Sequence, residues 1–120
     1  MRWVVALLAG IAMLIAPDLS FAQSKSEHGL AAVYSGKFVG RRTASGEVLD
    51  RQHLTAAHRQ YAFGTQVEVT NRNNGRSAVV TINDRGPHSR RFALDFSPAA
   101  AKALGIRGTA PVEYHVVSAR

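Results

Sequence analysis

Alternating hydrophobic and polar residues along much of the chain predict short β-strands. Thr65–Thr70 alternates valine with polar side chains, and a similar stretch, Ser77–Ile82, follows after the turn Asn71–Gly75. Asn and Gly tolerate the positive φ angles that tight turns need, so residues 65–83 are predicted to form a β-hairpin.

Three further segments resemble strands, and one long segment shows little pattern. The additional predicted strands are Leu30–Tyr34, Phe92–Phe96 and Pro111–Ser118, the last with Val112, Tyr114 and Val116 on one face. A sharp break at Asp84–Pro87 ends the hairpin. Arg41–Arg59 is polar and has little periodicity, and a stretch of that length without regular structure is usually functional or disordered. Its polar side chains favour a functional loop.

One helix is predicted, over Ala99–Leu104. Ser97 is a suitable N-cap, Pro98 fits the first helical position, and Gly105 ends the helix. About six short strands with one short helix predict a mainly β fold. A small closed barrel explains them better than an open sheet, because closure removes exposed strand edges.

The first 22 residues predict a signal peptide. A positively charged start precedes an apolar run over Trp3–Ala16, and small residues suitable for cleavage end at Ala22. The run is short for a membrane span, and an uncleaved anchor is the alternative. We therefore expect a periplasmic or secreted protein, with a flexible leader at 23–28 and one domain at 29–120.

The amino-acid composition excludes several kinds of functional site and predicts the charge of the partner. The 120 residues contain 15 Lys and Arg, 8 Asp and Glu, and no Cys. The lack of Cys excludes disulfides, thiolate-bound metals, a thiol nucleophile and a lipid-modified cysteine. The net charge of +7 predicts an anionic partner, and export favours the cell envelope over nucleic acid. We expect a monomer without a stable membrane anchor.

Six motifs, in order along the chain, resemble the rare lipoprotein A (RlpA-like) family. They are TASGE at Thr43–Glu47, LTAAH at Leu54–His58, FGT at Phe63–Thr65, VTNRNNGRS at Val69–Ser77, INDRGP at Ile82–Pro87 and LDFSPAAAKALG at Leu94–Gly105. The resemblance implies a double-psi β-barrel, with two pseudo-symmetric halves and a groove across one face. It also implies a lytic transglycosylase that acts on peptidoglycan strands free of stem peptides and leaves 1,6-anhydro ends. The family's namesakes are anchored through an N-terminal cysteine, which this chain lacks.

Cleavage of a glycosidic bond needs a carboxyl group that donates a proton, and Asp84 is the first candidate. It ends a hydrophobic strand and opens onto a Gly-Pro turn, although a purely local turn role would explain it too. The resemblance implies that Glu47 and His58 also take part, and that Asp50 matches a further acidic position. A solvated loop Glu and a packed core His are the alternatives. No cofactor is expected, and no histidine spacing predicts a metal site.

Binding of a sugar chain needs aromatic, hydroxyl, amide and basic side chains. The candidates are Tyr34, Thr43, Thr55, Asn83 and Arg85, although core packing would equally explain Tyr34. Pairs of arginines flank the motifs at Arg41–Arg42 and Arg90–Arg91, and suit the lactyl carboxylates of muramic acid. Asp95 precedes the helix N-cap and is expected to have a structural role.

Two other functions remain open from the sequence. The barrel of expansins also has a similar Asp, so a non-catalytic, expansin-like module that binds cell-wall polysaccharide is the main alternative. A secreted basic effector or inhibitor, using the groove against another protein, is the third. The expected partner is the glycan strands of peptidoglycan, and no nucleic acid partner is expected.

Overall fold

The five predicted strand segments and one further strand form a closed barrel in the computed structural model, which describes residues 25–119. The strands are β1 (Glu27–Val33), β2 (Thr55–Ala57), β3 (Gln66–Asn71), β4 (Ser77–Asp84), β5 (Phe92–Phe96) and β6 (Thr109–Ser118). A short 3-10 helix, Gly36–Phe38, follows β1. The predicted signal peptide and its cleavage site lie outside the described residues.

The barrel consists of two related halves. The strand order around it is β1-β5-β2-β4-β3-β6. Exchanging β1 with β4, β2 with β5 and β3 with β6 reproduces the same neighbours. The parallel pair β1–β5 corresponds to the parallel pair β2–β4, and the antiparallel pairs β1–β6 and β3–β4 correspond as well. This pseudo-twofold arrangement confirms the predicted double-psi β-barrel.

The core lies inside the barrel and beneath one helix, α1 (Pro98–Leu104). Fully buried side chains come from all six strands and from α1, and the largest apolar ones are Phe96, Ile82, Leu94, Leu104, Val67, Val69, Val80 and Val112. Burial of this apolar surface supplies most of the stabilisation, because there are no disulfides. The inward positions of the strands alternate with positions that face the surface grooves.

The helix follows the prediction closely. Its N-cap Ser97 accepts a hydrogen bond from the Ala100 amide, and Pro98 occupies the first turn. Gly105 ends the helix with φ 71°, a left-handed conformation that favours glycine. The buried amide of Asn71 in the hairpin donates to the Leu104 carbonyl at 2.9 Å, which ties the helix end to the barrel.

The segment Arg41–Arg59 is not wholly irregular, and this prediction was wrong in one part. It contains β2, a three-residue strand that pairs with both β4 and β5. Its residues are too few to show periodicity in the sequence, and pairing on two sides defines the strand instead. The remainder forms turns, with one isolated bridge between Arg42 and Val48.

Strand β1 begins earlier than the predicted domain boundary. Glu27 and His28 were expected in a flexible leader, but they pair with Tyr114 and Glu113 of β6. Their side chains are exposed, so hydrophobic patterning gives no signal there, whereas their backbone groups extend the sheet. Among residues 25–119, no helix has the length and apolar character that a membrane crossing requires.

Candidate functional site

The end of β4 brings Asp84 beside a second carboxyl group, that of Asp95 on β5. Ala57 of β2 lies between them, pairing with Asp84 on one side and with Asp95 on the other. A register shift after Ala56 places Asp84, rather than Asn83, opposite Ala57. Residues paired across strands point to the same face, so both carboxyl groups line one cavity of about 330 Å³, here called the Asp84 groove.

Three donors converge on the Asp84 carboxylate. The Tyr34 hydroxyl donates at 2.5 Å, the Ala44 amide at 2.8 Å and the Arg85 amide at 2.9 Å. Burial, and then the hydrogen bond to Asp84, raise the pKa of Tyr34 far above its ordinary value, so the hydroxyl keeps its proton. Tyr34 therefore holds the carboxylate in place.

Asp95 has a different environment in the same groove. It is half-buried, and the structure gives its carboxyl group no hydrogen-bond donor among residues 25–119. Burial is the main cause that raises its pKa, and the Asp84 charge adds to the effect, whereas His88 and Arg59 oppose it. A carboxyl group with a raised pKa holds its proton to a higher pH, which suits a proton donor.

Sequence reasoning gave Asp95 a structural role, and this position is the functional candidate it missed. Leu94 and Phe96 are fully buried in the core. Alternation along β5 therefore turns Asp95 away from the core, toward the groove. An acidic residue between two core residues was the available signal.

The remaining walls of the Asp84 groove come from the loops. Thr43 lines it and donates its hydroxyl to the Glu47 carbonyl at 2.9 Å. Arg85 lines it too, but its guanidinium donates to the Tyr61 carbonyl at 2.7 Å and stacks on the Phe63 ring at 4.1 Å. The predicted binding residues Tyr34, Thr43 and Arg85 thus come together with Asp84.

The other predicted residues line a separate groove. Glu47, Asp50, Thr55 and Asn83 surround a cavity of about 740 Å³, here called the Glu47 groove, which shares no lining residue with the Asp84 groove. The Glu47 carboxylate accepts a hydrogen bond from the Asn83 amide at 3.1 Å. Glu47 thus contacts Asn83 and lines a different groove from Asp84.

Asp50 is held by its own turn. Its carboxylate accepts hydrogen bonds from the backbone amides of Gln52 and His53, each at 2.9 Å, and contacts the His53 ring at 2.7 Å. These bonds, the backbone ones first, lower the pKa of Asp50 to about 2. A group that stays ionised near neutral pH is a poor proton donor.

His58 lines neither groove. Its ring Nδ1 accepts hydrogen bonds from the Gln60 and Tyr61 amides, both at 3.0 Å, and the ring stacks on Tyr61 at 3.7 Å. Burial, with the nearby charges of Arg59 and Arg85, lowers the pKa of His58 to about 4. The neutral ring therefore fixes the loop after β2, whose His58 amide donates to the Asp84 carbonyl at 3.2 Å.

The Asp84 groove holds two carboxyl groups that suit acid–base chemistry, and the Glu47 groove is the wider of the two. Within residues 25–119, no group of three His, Asp or Glu side chains is arranged to hold a metal ion. The Asp84 groove of this double-psi barrel thus holds two aspartates in unlike environments, beside tyrosine, threonine and arginine side chains.

Comparison with known proteins identifies the family. The model of the lytic transglycolase family matches residues 26–114, and the chain belongs to this family. A probable endolytic peptidoglycan transglycosylase RlpA from Nostoc sp. is 49% identical over 96 residues, which are 77% of this chain and 26% of that protein. The endolytic peptidoglycan transglycosylase RlpA of Haemophilus influenzae is 46% identical over 85 residues, 71% of this chain and 30% of that protein. The predicted RlpA-like resemblance is confirmed.

The chain spans only part of the curated relatives it matches, from 26% to 40% of their lengths. Solved structures extend the likeness to other double-psi barrels. The Streptomyces papain inhibitor has a TM-score of 0.61 and 25% identity, covering 78% of this chain and 96% of the inhibitor. A Clavibacter michiganensis expansin also has a TM-score of 0.61, with 26% identity, covering 78% of this chain and 51% of the expansin.

Proposed function

We propose that this protein is a peptidoglycan lytic transglycosylase, which cleaves the bond between N-acetylmuramic acid and N-acetylglucosamine and leaves a 1,6-anhydro end. The observation that carries the proposal is the pair Asp84 and Asp95. Both line one groove, but three donors hold Asp84, whereas Asp95 is half-buried with a raised pKa. Family membership and the names of the relatives support the same activity.

The two carboxyl groups have different roles in the proposed reaction. Asp95 donates its proton to the glycosidic oxygen, the bond from that oxygen to C1 breaks, and the leaving sugar departs with a free hydroxyl. The Asp84 carboxylate stabilises the positive charge that develops at C1. Asp95 then takes the proton of the C6 hydroxyl, whose oxygen bonds to C1 and closes the anhydro ring. Asp95 ends the cycle protonated, and no water is consumed.

This mechanism moves the proton steps from Asp84, the sequence-based candidate, to its neighbour. Asp84 keeps a charged role because its three donors suit an acceptor-only carboxylate. Asp50 and His58 act as positioning residues, since backbone amides hold each of them. The Glu47 groove binds a further part of the glycan strand.

The substrate in this proposal is a glycan strand without stem peptides. Export of the protein is part of the same proposal. Residues 1–22 act as a cleaved signal peptide, and the folded chain is a monomer in the periplasm or outside the cell. Amino-terminal sequencing of protein recovered from a cell fraction tests cleavage and location together. Light scattering of the purified protein tests the monomer.

Digestion of purified stem-peptide-free glycan, followed by mass spectrometry, tests the activity. The wild-type protein is expected to release 1,6-anhydromuramyl products, and Asp95→Asn and Asp84→Asn are expected to release far less. Glu113→Gln, which removes a carboxylate of β6 that lines neither groove, serves as the matched control and is expected to act like wild type.

The main competing function is a non-catalytic, expansin-like module, which the likeness to an expansin structure keeps relevant. The same digest separates the two. Strands that bind the wild-type protein yet stay uncut after long incubation would establish the binding module and overturn the enzyme.

A further inference from the structure

A cluster of positive charges adjoins the Asp84 groove and has no part in the mechanism above. It surrounds a cavity of about 280 Å³, here called the arginine pocket, lined by Arg59, Arg85, Gly86, Pro87, His88 and Arg90. The segment Arg85–His88 lines both this pocket and the Asp84 groove. A ligand in the groove therefore reaches the pocket without leaving the protein surface.

Two of the three guanidinium groups are fixed by backbone carbonyls. Arg59 donates to the Pro87 carbonyl at 2.8 Å and to the Ser89 carbonyl at 3.4 Å. Arg85 donates to the carbonyls of Tyr61 and His58, at 2.7 and 3.2 Å. These bonds orient both side chains, so little conformational entropy is lost when an anion binds.

No arginine of the pocket forms an ion pair with a carboxylate among residues 25–119, although the Arg59 charge acts on Asp95 in the adjoining groove. In the part of the chain that the structure describes, the ion pairs are His53–Asp50 and His115–Glu68, and no arginine lies within 4.0 Å of a carboxylate. Three neighbouring arginines repel one another unless an anion joins them. Guanidinium groups match carboxylates in shape and charge, so a carboxylate is the favoured ligand.

We propose that the arginine pocket is a subsite for the free lactyl carboxylate of a muramic acid residue at the cleavage site. The inference rests on the proposed function, which places a glycan strand in the adjoining groove. The lactyl group is attached directly to the sugar ring, so a pocket that shares a wall with the groove lies within its reach. Where a stem peptide is present, the same carboxyl group is an amide without charge. Arg59 and Arg90 thus make the site specific for strands without peptides.

Binding experiments test the subsite separately from cleavage. The Asp84→Asn protein is titrated calorimetrically with stem-peptide-free glycan, with the same glycan after its lactyl carboxyls have been reduced to alcohols, and with peptide-bearing glycan. The free carboxylate form is expected to bind roughly tenfold more tightly than the reduced form, as for a charged hydrogen-bonded pair. Arg59→Gln and Arg90→Gln, each added to Asp84→Asn, are expected to remove this preference.

Arg107→Gln is the matched control, because Arg107 is exposed and lines none of these cavities. It is expected to keep the preference. Arg90 has no hydrogen bond to the rest of the described chain, so its replacement tests the pocket even if Arg59→Gln disturbs the loop. Circular dichroism checks each fold.

Equal affinity for the carboxylate and reduced forms would overturn the subsite, as would an Arg90→Gln protein that retains the preference. Tightest binding to peptide-bearing strands, lost in the arginine variants, would assign the pocket to a peptide carboxylate and overturn the proposal. A preference for the carboxylate form without any anhydro product would uphold the subsite while the proposed enzyme fails.

Discussion

The Asp84 groove and the Glu47 groove both contain carboxylates but hold them in opposite ways. Asp84 and Asp95 meet through strand pairing across β2, and the Asp84 donors include Tyr34, fifty residues away. Asp50 is held by Gln52 and His53, its own neighbours. Burial raises the pKa of Asp95, whereas local hydrogen bonds lower that of Asp50 to about 2.

This contrast shows what a proton donor requires. A turn is enough to orient a carboxylate, but the turn lies in solvent and its amides stabilise the charged form. Burial and a second negative charge each raise a carboxyl pKa, and in Asp95 long-range contacts bring both together. The Asp84 groove meets both conditions, whereas in the Glu47 groove the hydrogen bonds that Asp50 accepts lower its pKa and outweigh the effect of burial.

The largest expected effect compares the grooves directly. Asp95→Asn removes the proton donor and is expected to lower kcat by about 100-fold or more. Glu47→Gln changes a carboxylate that contacts Asn83 in the other groove, so it is expected to change KM more than kcat. Steady-state release of anhydro products measures both constants. A larger loss of kcat in Glu47→Gln than in Asp95→Asn would reverse the assignment.

The second prediction concerns Asp50 as a positioning residue. The Asn side chain also offers an oxygen to the Gln52 and His53 amides, whereas Ala offers none. Asp50→Asn is therefore expected to retain activity that Asp50→Ala loses, with a difference of about tenfold in kcat/KM. If both variants are equally inactive, the charge of Asp50 itself takes part in the reaction.

The third prediction follows from the charge pairing in the Asp84 groove. Because the Asp84 charge helps to raise the pKa of Asp95, Asp84→Asn is expected to shift the Asp95 titration to lower pH. Carbon-13 NMR of the side-chain carboxyl groups measures this titration. Glu113→Gln supplies the control, and an unchanged Asp95 titration in Asp84→Asn would show that the two groups are not coupled.

The smallest expected effect concerns stability and His58. Its pKa is about 4 in the folded protein and 6.5 as a free side chain, so the unfolded chain binds more protons between these values. Stability from this residue is complete above pH 6.5 and is lost as the pH falls toward 4.

His58→Asn keeps an acceptor for the Gln60 and Tyr61 amides but does not titrate. Its Tm is expected to fall less than that of wild type between pH 7 and pH 4, by on the order of 5 °C. Thermal unfolding followed by circular dichroism at each pH measures the difference. If the Tm values of the two proteins fall by the same amount as the pH is lowered, folding does not keep the His58 ring neutral.

Local sequence was sufficient wherever neighbouring residues define the structure. The hairpin β3–β4, the strand β5 and the cap and end of α1 were predicted within one or two residues, because alternation, turn residues and capping act over a few positions. Strand β2 was not, since it has three residues and exists through pairing with β4 and β5.

The same difference between local and long-range contacts applies to the candidate site. Family motifs led to Asp84, Thr43 and Arg85, and the need for an aromatic side chain beside a sugar led to Tyr34; all four come together. The same motifs also led to Glu47 and Asp50, which lie in another groove, because neighbouring positions of one loop face different surfaces. In an irregular loop, proximity along the chain does not determine which cavity a side chain lines.

The sequence by itself determined a small, basic, cysteine-free β-barrel of the RlpA-like family, with Asp84 at the end of a core strand. Only the tertiary structure decided that Asp95 joins Asp84, that Glu47 does not, and that three arginines share a pocket. Neighbouring residues determine strand periodicity and the type of turn. The register of β2 between β4 and β5, and the burial that follows from it, depend on the closed barrel.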